Sequence, residues 1–161
     1  NNHADRVKMA NIAQTVNVLQ AMILTEGEKM IVTPTYHVFN MYKVHQDATL
    51  LPIEIDCGQY QYKDEGLPMI NASASVNDDN IIHISLCNLD ANNSTEVKVD
   101  LRGTSNNEIS GSILTAEKIN SHNTFNDPER VTPIEFNDFK DTGEGIVVNL
   151  PSKSVTVLKI K

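Results

Sequence analysis

Asn11, Gln14 and Asn17 stand three residues apart in MANIAQTVNVLQAM, Met9 to Met22, a stretch without a single charge. A primary amide offers both donors and acceptors, so it suits a polar ligand such as a sugar hydroxyl. Buried without a partner, it costs about 1–3 kcal/mol. Three amides in one stripe therefore require partners, either the backbone of neighbouring loops or a bound ligand. The other groups with chemical capacity are scattered. Glu26 and Glu28 flank a turn, Glu54 and Asp56 alternate on a strand-like segment, and Asp64–Glu65 and Asp78–Asp79 sit in turns. None lies in an apolar setting that would raise a carboxyl pKa, so all read as solvated surface charge. His3, His37, His45, His83 and His122 show no paired metal-ligand spacing, and no G-x-S-x-G marks a serine nucleophile. His83 reads as an outward strand residue. Cys57 and Cys87 lack CxxC or Cys/His spacing and read as two separate thiols on strands, with a disulfide between them left open. No residue is assigned to catalysis, a metal or a cofactor on these grounds.

The elements that must position these residues fall into two groups, divided near residue 46. In the first, Met9, Ile12, Ala13, Val16, Leu19 and Ile23 follow the i, i+3, i+4, i+7 spacing of a helical face. Ala10, Val18 and Ala21 add apolar groups on other sides, so this helix is expected to be covered from more than one direction. Asn1 or Asn2 would cap its start. The segment LTEGEKM, with Gly27, ends the regularity. Thr33–Pro34 is a helix-entry pair, with Thr as N-cap and Pro at the first helical position. It predicts a short second helix with Tyr36, Phe39, Met41 and Tyr42 as its apolar side, although the same residues also suit a strand.

From Ala48 onward the pattern alternates. LLPIEID places Leu51, Ile53 and Ile55 on one face, NIIHISLCNLD places Ile82, Ile84 and Leu86 on one face, and TEVKVDLRG sets Val97, Val99 and Leu101 against Lys98 and Asp100. ISGSILTAEKI and GIVVNLPSKSVTVLKIK supply further strands, the last of them apolar on both faces. NDDN, DANNS, RGTSNN, DTGEG and PSK read as turns. Short strands at roughly ten-residue spacing predict a mainly β fold, an antiparallel, jelly-roll-like β-sandwich.

With 161 residues the chain is ample for one domain and marginal for two. Its net charge of −8, with no basic cluster, argues against a nucleic-acid partner. No apolar run is long enough to span a membrane as a helix. There is no Trp, and aromatics total 5%, low for a module that stacks sugars on exposed rings. The sequence opens on Asn1 without Met and is helix-like almost at once, as a piece cut from a longer protein would be.

The string HADRVKMANIAQTVNVLQAMILT, followed by TPTYHVFNMYKVHQ, resembles the end of the catalytic barrel in family 51 glycoside hydrolases, the α-L-arabinofuranosidases. The family pattern is close to A-D-x-V-x-M-A-N-x-A-Q-x-V-N. Here it reads Ala4, Asp5, Val7, Met9, Ala10, Asn11, Ala13, Gln14, Val16 and Asn17. HNTFNDPERVTP, His122 to Pro133, resembles a segment of that family's C-terminal β domain, and LPSKSVTVLKIK resembles its last strands. The resemblance implies that residues 1–46 are the last helical part of a (β/α)8 barrel and residues 47–161 a C-terminal β-sandwich. It implies that Gln14 lies at an arabinose-binding site, and that His37 lies near the barrel end. Retaining hydrolysis needs two carboxyl groups about 5–5.5 Å apart. In the family both are glutamates earlier in the sequence, so this piece would lack them and be inactive alone. Its partners would be the missing N-terminal barrel and an arabinose-containing oligo- or polysaccharide of the parent. Without the barrel, residues 1–46 are expected to expose apolar surface, and to fray, fold back or drive homo-oligomer formation.

A second reading, from a different class, is a stand-alone carbohydrate-binding or adhesion sandwich. Tyr60 and Tyr62 in CGQYQYKDEG would share one strand face and form a small platform.

Overall fold

The computed structural model describes residues 1–103, 108–143 and 145–161. The ordered elements begin with a hairpin of β1 (Ile23–Glu26) and β2 (Lys29–Val32), then helix α1 (Pro34–Tyr42) and a 3₁₀ turn, Lys43–His45. Next come β3 (Thr49–Leu51), β4 (Gln59–Tyr62), β5 (Glu65–Pro68), β6 (Ile70–Val76) and β7 (Ile82–Asn88). The remaining strands are β8 (Thr95–Asp100), β9 (Ile109–Leu114), β10 (Ile134–Phe136), β11 (Phe139–Asp141), β12 (Gly145–Leu150) and β13 (Ser154–Ile160). A six-stranded sheet in the order β10-β9-β13-β7-β6-β3 faces a three-stranded sheet in the order β11-β12-β8, and β4 and β5 form a separate hairpin. Every strand pair is antiparallel. The sandwich expected from the turn spacing is therefore present.

Period-two alternation builds the core between the sheets. Ile70, Ala72 and Ala74 on β6, Ile84 and Leu86 on β7, and Leu158 and Ile160 on β13 meet Ile146, Val148 and Leu150 on β12. Val97 and Val99 of β8 pack against the same cluster. Gly145 is required where β12 meets β8, because a Cβ there would collide with the Val99 carbonyl. The outer face of the six-stranded sheet is also covered. Met41 of α1, with Val38, Tyr42 and Val44, packs on Leu114, Val131, Val155 and Val157. The two-faced pattern read in the last strand is thus explained: Leu158 and Ile160 enter the sandwich, while Val155 and Val157 meet the helix.

Helix α1 starts as its sequence predicts. Thr33 is the N-cap in an extended conformation, its hydroxyl accepts from the Tyr36 N–H, and Pro34 opens the first turn. Its buried side differs from the expected one. Met41 is buried, but Tyr36 and Phe39 are 36% and 40% exposed.

The first predicted helix is absent. Residues 9–22 are irregular, and Gln14, Asn17 and Gln20 adopt positive φ (50°, 55° and 63°), a left-handed conformation that no right-handed helix accommodates. Two physical causes act together. Helices of this length depend on burying an apolar face, and here Val7, Met9, Val16 and Leu19 are 44–90% exposed. Asparagine side chains also compete for the backbone groups a helix would use. Asn1 and Asn2, expected as caps, instead donate to the Ser73 hydroxyl (3.0 Å) and the Ala72 carbonyl (3.1 Å) of β6. The strand expected over Leu51–Ile55 stops at Leu51, because Pro52 has no N–H to continue the ladder. The Ala72 carbonyl lies beyond the register of β3, which pairs only with Ala74–Val76, and Asn2 takes it. RGTSNN and DTGEG fall partly outside the described residues.

Leu158 is fully buried where the two sheets meet. Leu158→Ala is expected to destabilise the domain by about 2–5 kcal/mol, read as a lowered urea midpoint at unchanged slope.

Candidate functional site

The segment bearing Gln14 is held by its neighbours' backbone. The Thr15 carbonyl accepts from the Ile23 N–H (3.1 Å), and the Asn17 N–H donates to the Ile23 carbonyl (3.0 Å). Val16 and Ile23 thereby form a parallel bridge at the start of β1. The Asn17 amide completes the clamp: its Nδ2 donates to Thr25 Oγ1 (2.8 Å) and its Oδ1 accepts from the Thr25 N–H (2.7 Å). At the far side of the hairpin, Thr33 donates its N–H to the Met22 carbonyl (3.0 Å) and its hydroxyl to the Ala21 carbonyl (2.7 Å). Of the amide stripe, Asn17 is thus bonded to its own chain, while Asn11 and Gln14 are exposed.

A second polar cluster lies under the 3₁₀ turn, on the outer face of the six-stranded sheet. Antiparallel pairing sets Ser73 opposite Ser85 and Ser75 opposite His83. His45 drops between the strands, with Nδ1 2.7 Å from Ser75 Oγ and Nε2 2.6 Å from Ser85 Oγ. One ring nitrogen of a neutral imidazole donates and the other accepts, so one of these hydroxyls donates to the ring. His83 does lie opposite the core face, but it is buried at 7% exposure rather than outward in solvent, beside the His45 ring that lies on this face. Burial holds the His45 ring below the usual imidazole range, with His83 adding to the effect. Burial, then Lys159, does the same to His83. Beside them the Tyr42 hydroxyl is 3.3 Å from Cys87 Sγ. Burial, with Cys87 next, pushes the Tyr42 hydroxyl up, and burial pushes the Cys87 thiol up. Both are neutral at physiological pH, so Cys87 is a packed thiol rather than a nucleophile. The cysteines are both free, and Cys57 sits in irregular chain before β4 rather than on a strand.

The remaining candidates stay apart. His37 is held on α1, its ring against Tyr36 and its pKa lowered by burial. His122 Nδ1 bonds the Asn120 carbonyl (2.9 Å). Among the described residues no group of three or more His, Cys, Asp or Glu side chains converges as a metal site, and no helix is long and apolar enough to cross a membrane. Glu54 and Asp56 lie in irregular chain at the mouth of a cleft of about 660 Å³ between the sheets, walled by Ile70, Ala72, Ile84 and Val99. In the β4–β5 hairpin, Tyr60 is half-buried and Tyr62 is 67% exposed, with the Lys63 ammonium 5.2 Å from its ring centre.

Sequence reading gave no role to His45 or Asn123. Asn123 is 2% exposed, donates to the Val32 and Val131 carbonyls (3.0 and 3.1 Å) and accepts from the Val131 N–H (2.8 Å). Its signal was present only as the first asparagine of HNTFNDPERVTP. The seryl partners of His45 share its face by period-two alternation, but only the strand register brings them together.

The geometry is that of a two-sheet antiparallel sandwich whose polar side chains tie down a hairpin and an irregular lead-in. Residues 1–154 match the model of the family described as the alpha-L-arabinofuranosidase C-terminal domain, and the chain belongs to that family. It is 48% identical over 160 residues to an intracellular exo-alpha-L-arabinofuranosidase of Bacteroides ovatus, covering 99% of this chain and 31% of that protein. The GH51 arabinofuranosidase from Xanthomonas axonopodis pv. citri superposes with a TM-score of 0.95 at 46% identity, over 99% of this chain and 32% of that one. The alpha-L-arabinofuranosidase of Thermotoga maritima, solved with arabinose, shares the fold at a TM-score of 0.84 and 22% identity, over 98% of this chain and 34% of that one. The chain thus spans about a third of the length of these relatives.

A histidine with a depressed folded-state pKa stabilises the fold above its unfolded value of about 6.5. That stability is lost as the pH falls below it, because the unfolded chain then binds more protons. The urea midpoint is therefore expected to drop between pH 7.5 and pH 5.5, and less steeply in His45→Gln. An identical pH profile for the variant would contradict the role given to His45.

Proposed function

We propose that this chain is the C-terminal part of a retaining α-L-arabinofuranosidase that removes terminal arabinofuranosyl residues from plant polysaccharides. Residues 1–46 are the end of its catalytic barrel and residues 47–161 its accessory sandwich. The observation that carries this reading is the exposure of Val7, Met9, Val16 and Leu19 on either side of Gln14. Such an apolar run, bonded through its backbone to a hairpin that Asn123 of the sandwich grips, is a surface built to be covered. Membership of the arabinofuranosidase C-terminal domain family supports an upstream barrel, carrying the two catalytic glutamates, as the cover.

In this arrangement the sandwich is scaffold. It holds the lead-in segment so that Gln14 forms one wall of the sugar pocket, its amide donating to and accepting from arabinose hydroxyls. The chemistry belongs to the barrel carboxylates, one as acid/base and one as nucleophile. The sandwich supplies position, which is worth much where reacting groups must lie within a few tenths of an ångström of their productive geometry.

The polypeptide isolated from its source is expected to be roughly three times the 17.8 kDa of this chain, given that the chain spans 31% of its Bacteroides ovatus relative. It should hydrolyse an aryl α-L-arabinofuranoside with retention, and the 161-residue chain alone should not. Turnover by the purified chain, or a native mass equal to its own, would overturn the reading.

A further inference from the structure

The His122–Pro133 segment lies in the sandwich half of the chain, far in sequence from Gln14, yet it touches the hairpin that holds Gln14. Asn123 is the point of contact. Its amide closes its own loop through both backbone groups of Val131, and the same Nδ2 reaches across to the Val32 carbonyl at the end of β2. Val131 is itself part of the cluster that seats α1 on the sheet. The loop is therefore fixed to the sandwich from one side and grips the hairpin from the other.

From Val32 the connection to Gln14 is short and made of hydrogen bonds. The next residue, Thr33, bonds the carbonyls of Ala21 and Met22. Within the hairpin, Val32 pairs with Ile23, and Ile23 bonds Thr15 and Asn17. Asn17 then closes on Thr25. Gln14 is the residue immediately before this bonded group, and its left-handed backbone (φ 50°) sets the direction of its side chain.

We infer that Asn123 is a positioning residue for sugar binding: through Val32 and the β1–β2 hairpin it fixes where Gln14 stands. The inference rests on the proposed contact between Gln14 and arabinose. A sandwich residue that never touches the sugar would thus control affinity for it. An amide suits the task because one side chain satisfies two carbonyls and one N–H that are otherwise buried together. Loss of such a support displaces the residue it holds, and the displacement is felt in binding before it is felt in the bond-breaking step, whose carboxylates lie on other elements.

The test uses the full-length parent protein with an aryl α-L-arabinofuranoside as probe. Asn123→Ala is expected to raise KM about tenfold with kcat little changed, and Gln14→Ala to raise KM at least as much. The double variant should be no worse than Gln14→Ala alone, because both substitutions remove the same contact. A purely structural role for Asn123 would lower the amount of active enzyme and leave KM as it was. If Asn123→Ala does not fold, Thr25→Val tests the same connection from an exposed position, by removing the acceptor of the Asn17 amide, and should also raise KM. An unchanged KM in these variants, with KM raised in Gln14→Ala, would overturn the inference and leave the Gln14 contact standing. An unchanged KM in Gln14→Ala would remove the contact itself, and the inference with it.

Discussion

The six-stranded sheet must be covered on both faces, and most of the structure follows from this. Its inner face is closed by the three-stranded sheet, through Val148, Leu150 and Ile146 on one side and Leu158, Ile160 and Leu86 on the other. Its outer face is mixed. One part is apolar, where Val155, Val157 and Leu114 receive Met41 of α1. The other part is polar, where Ser73, Ser75, His83 and Ser85 are all buried. Burying the serine hydroxyls is tolerable only when they are hydrogen-bonded, whereas His83 Nδ1 is buried without a partner among the described residues. The 3₁₀ turn supplies His45 to Ser75 and Ser85, and the start of the chain supplies Asn1 to Ser73. The start of the chain is thus part of the sandwich's own hydrogen bonding.

The same amide chemistry that ties the lead-in segment down also stops it from being regular. Asn17 closes on Thr25, and three amide residues take left-handed backbone conformations. The apolar residues between them are left facing outward. In the proposed parent this is productive, because the exposed run becomes one side of a domain junction and Gln14 one side of a pocket.

The sandwich was legible wherever one face of a strand is apolar and the other polar. β7 and β8 follow that rule, β13 was legible instead as a strand apolar on both faces, and the turns NDDN, DANNS and PSK fall where they were read. β6 was not seen, because Ile70-Asn71-Ala72-Ser73-Ala74-Ser75-Val76 relies on alanines and serines, which carry little strand preference. The β1–β2 hairpin was read only as the LTEGEKM break that ends the helical spacing of Met9 to Ile23, and that spacing misled because an apolar period states what wants burial and not whether a neighbour exists to provide it. The motif around Gln14 pointed to the family correctly. The bonds of Asn123 and of the His45 cluster depend on contacts between distant segments, which spacing along the chain does not express.

The central claim is that residues 7–20 are a surface completed by the upstream barrel, while the sandwich is complete in itself. Backbone amide hydrogen exchange, measured on this chain alone and on the full-length parent, tests it most directly. The expected result is that β7, β9, β12 and β13 are equally protected in both, and that the amides of residues 7–20 other than the hydrogen-bonded Val7 and Asn17 exchange freely in the chain alone but are protected in the parent. Equal exchange of residues 7–20 in the two proteins would contradict it.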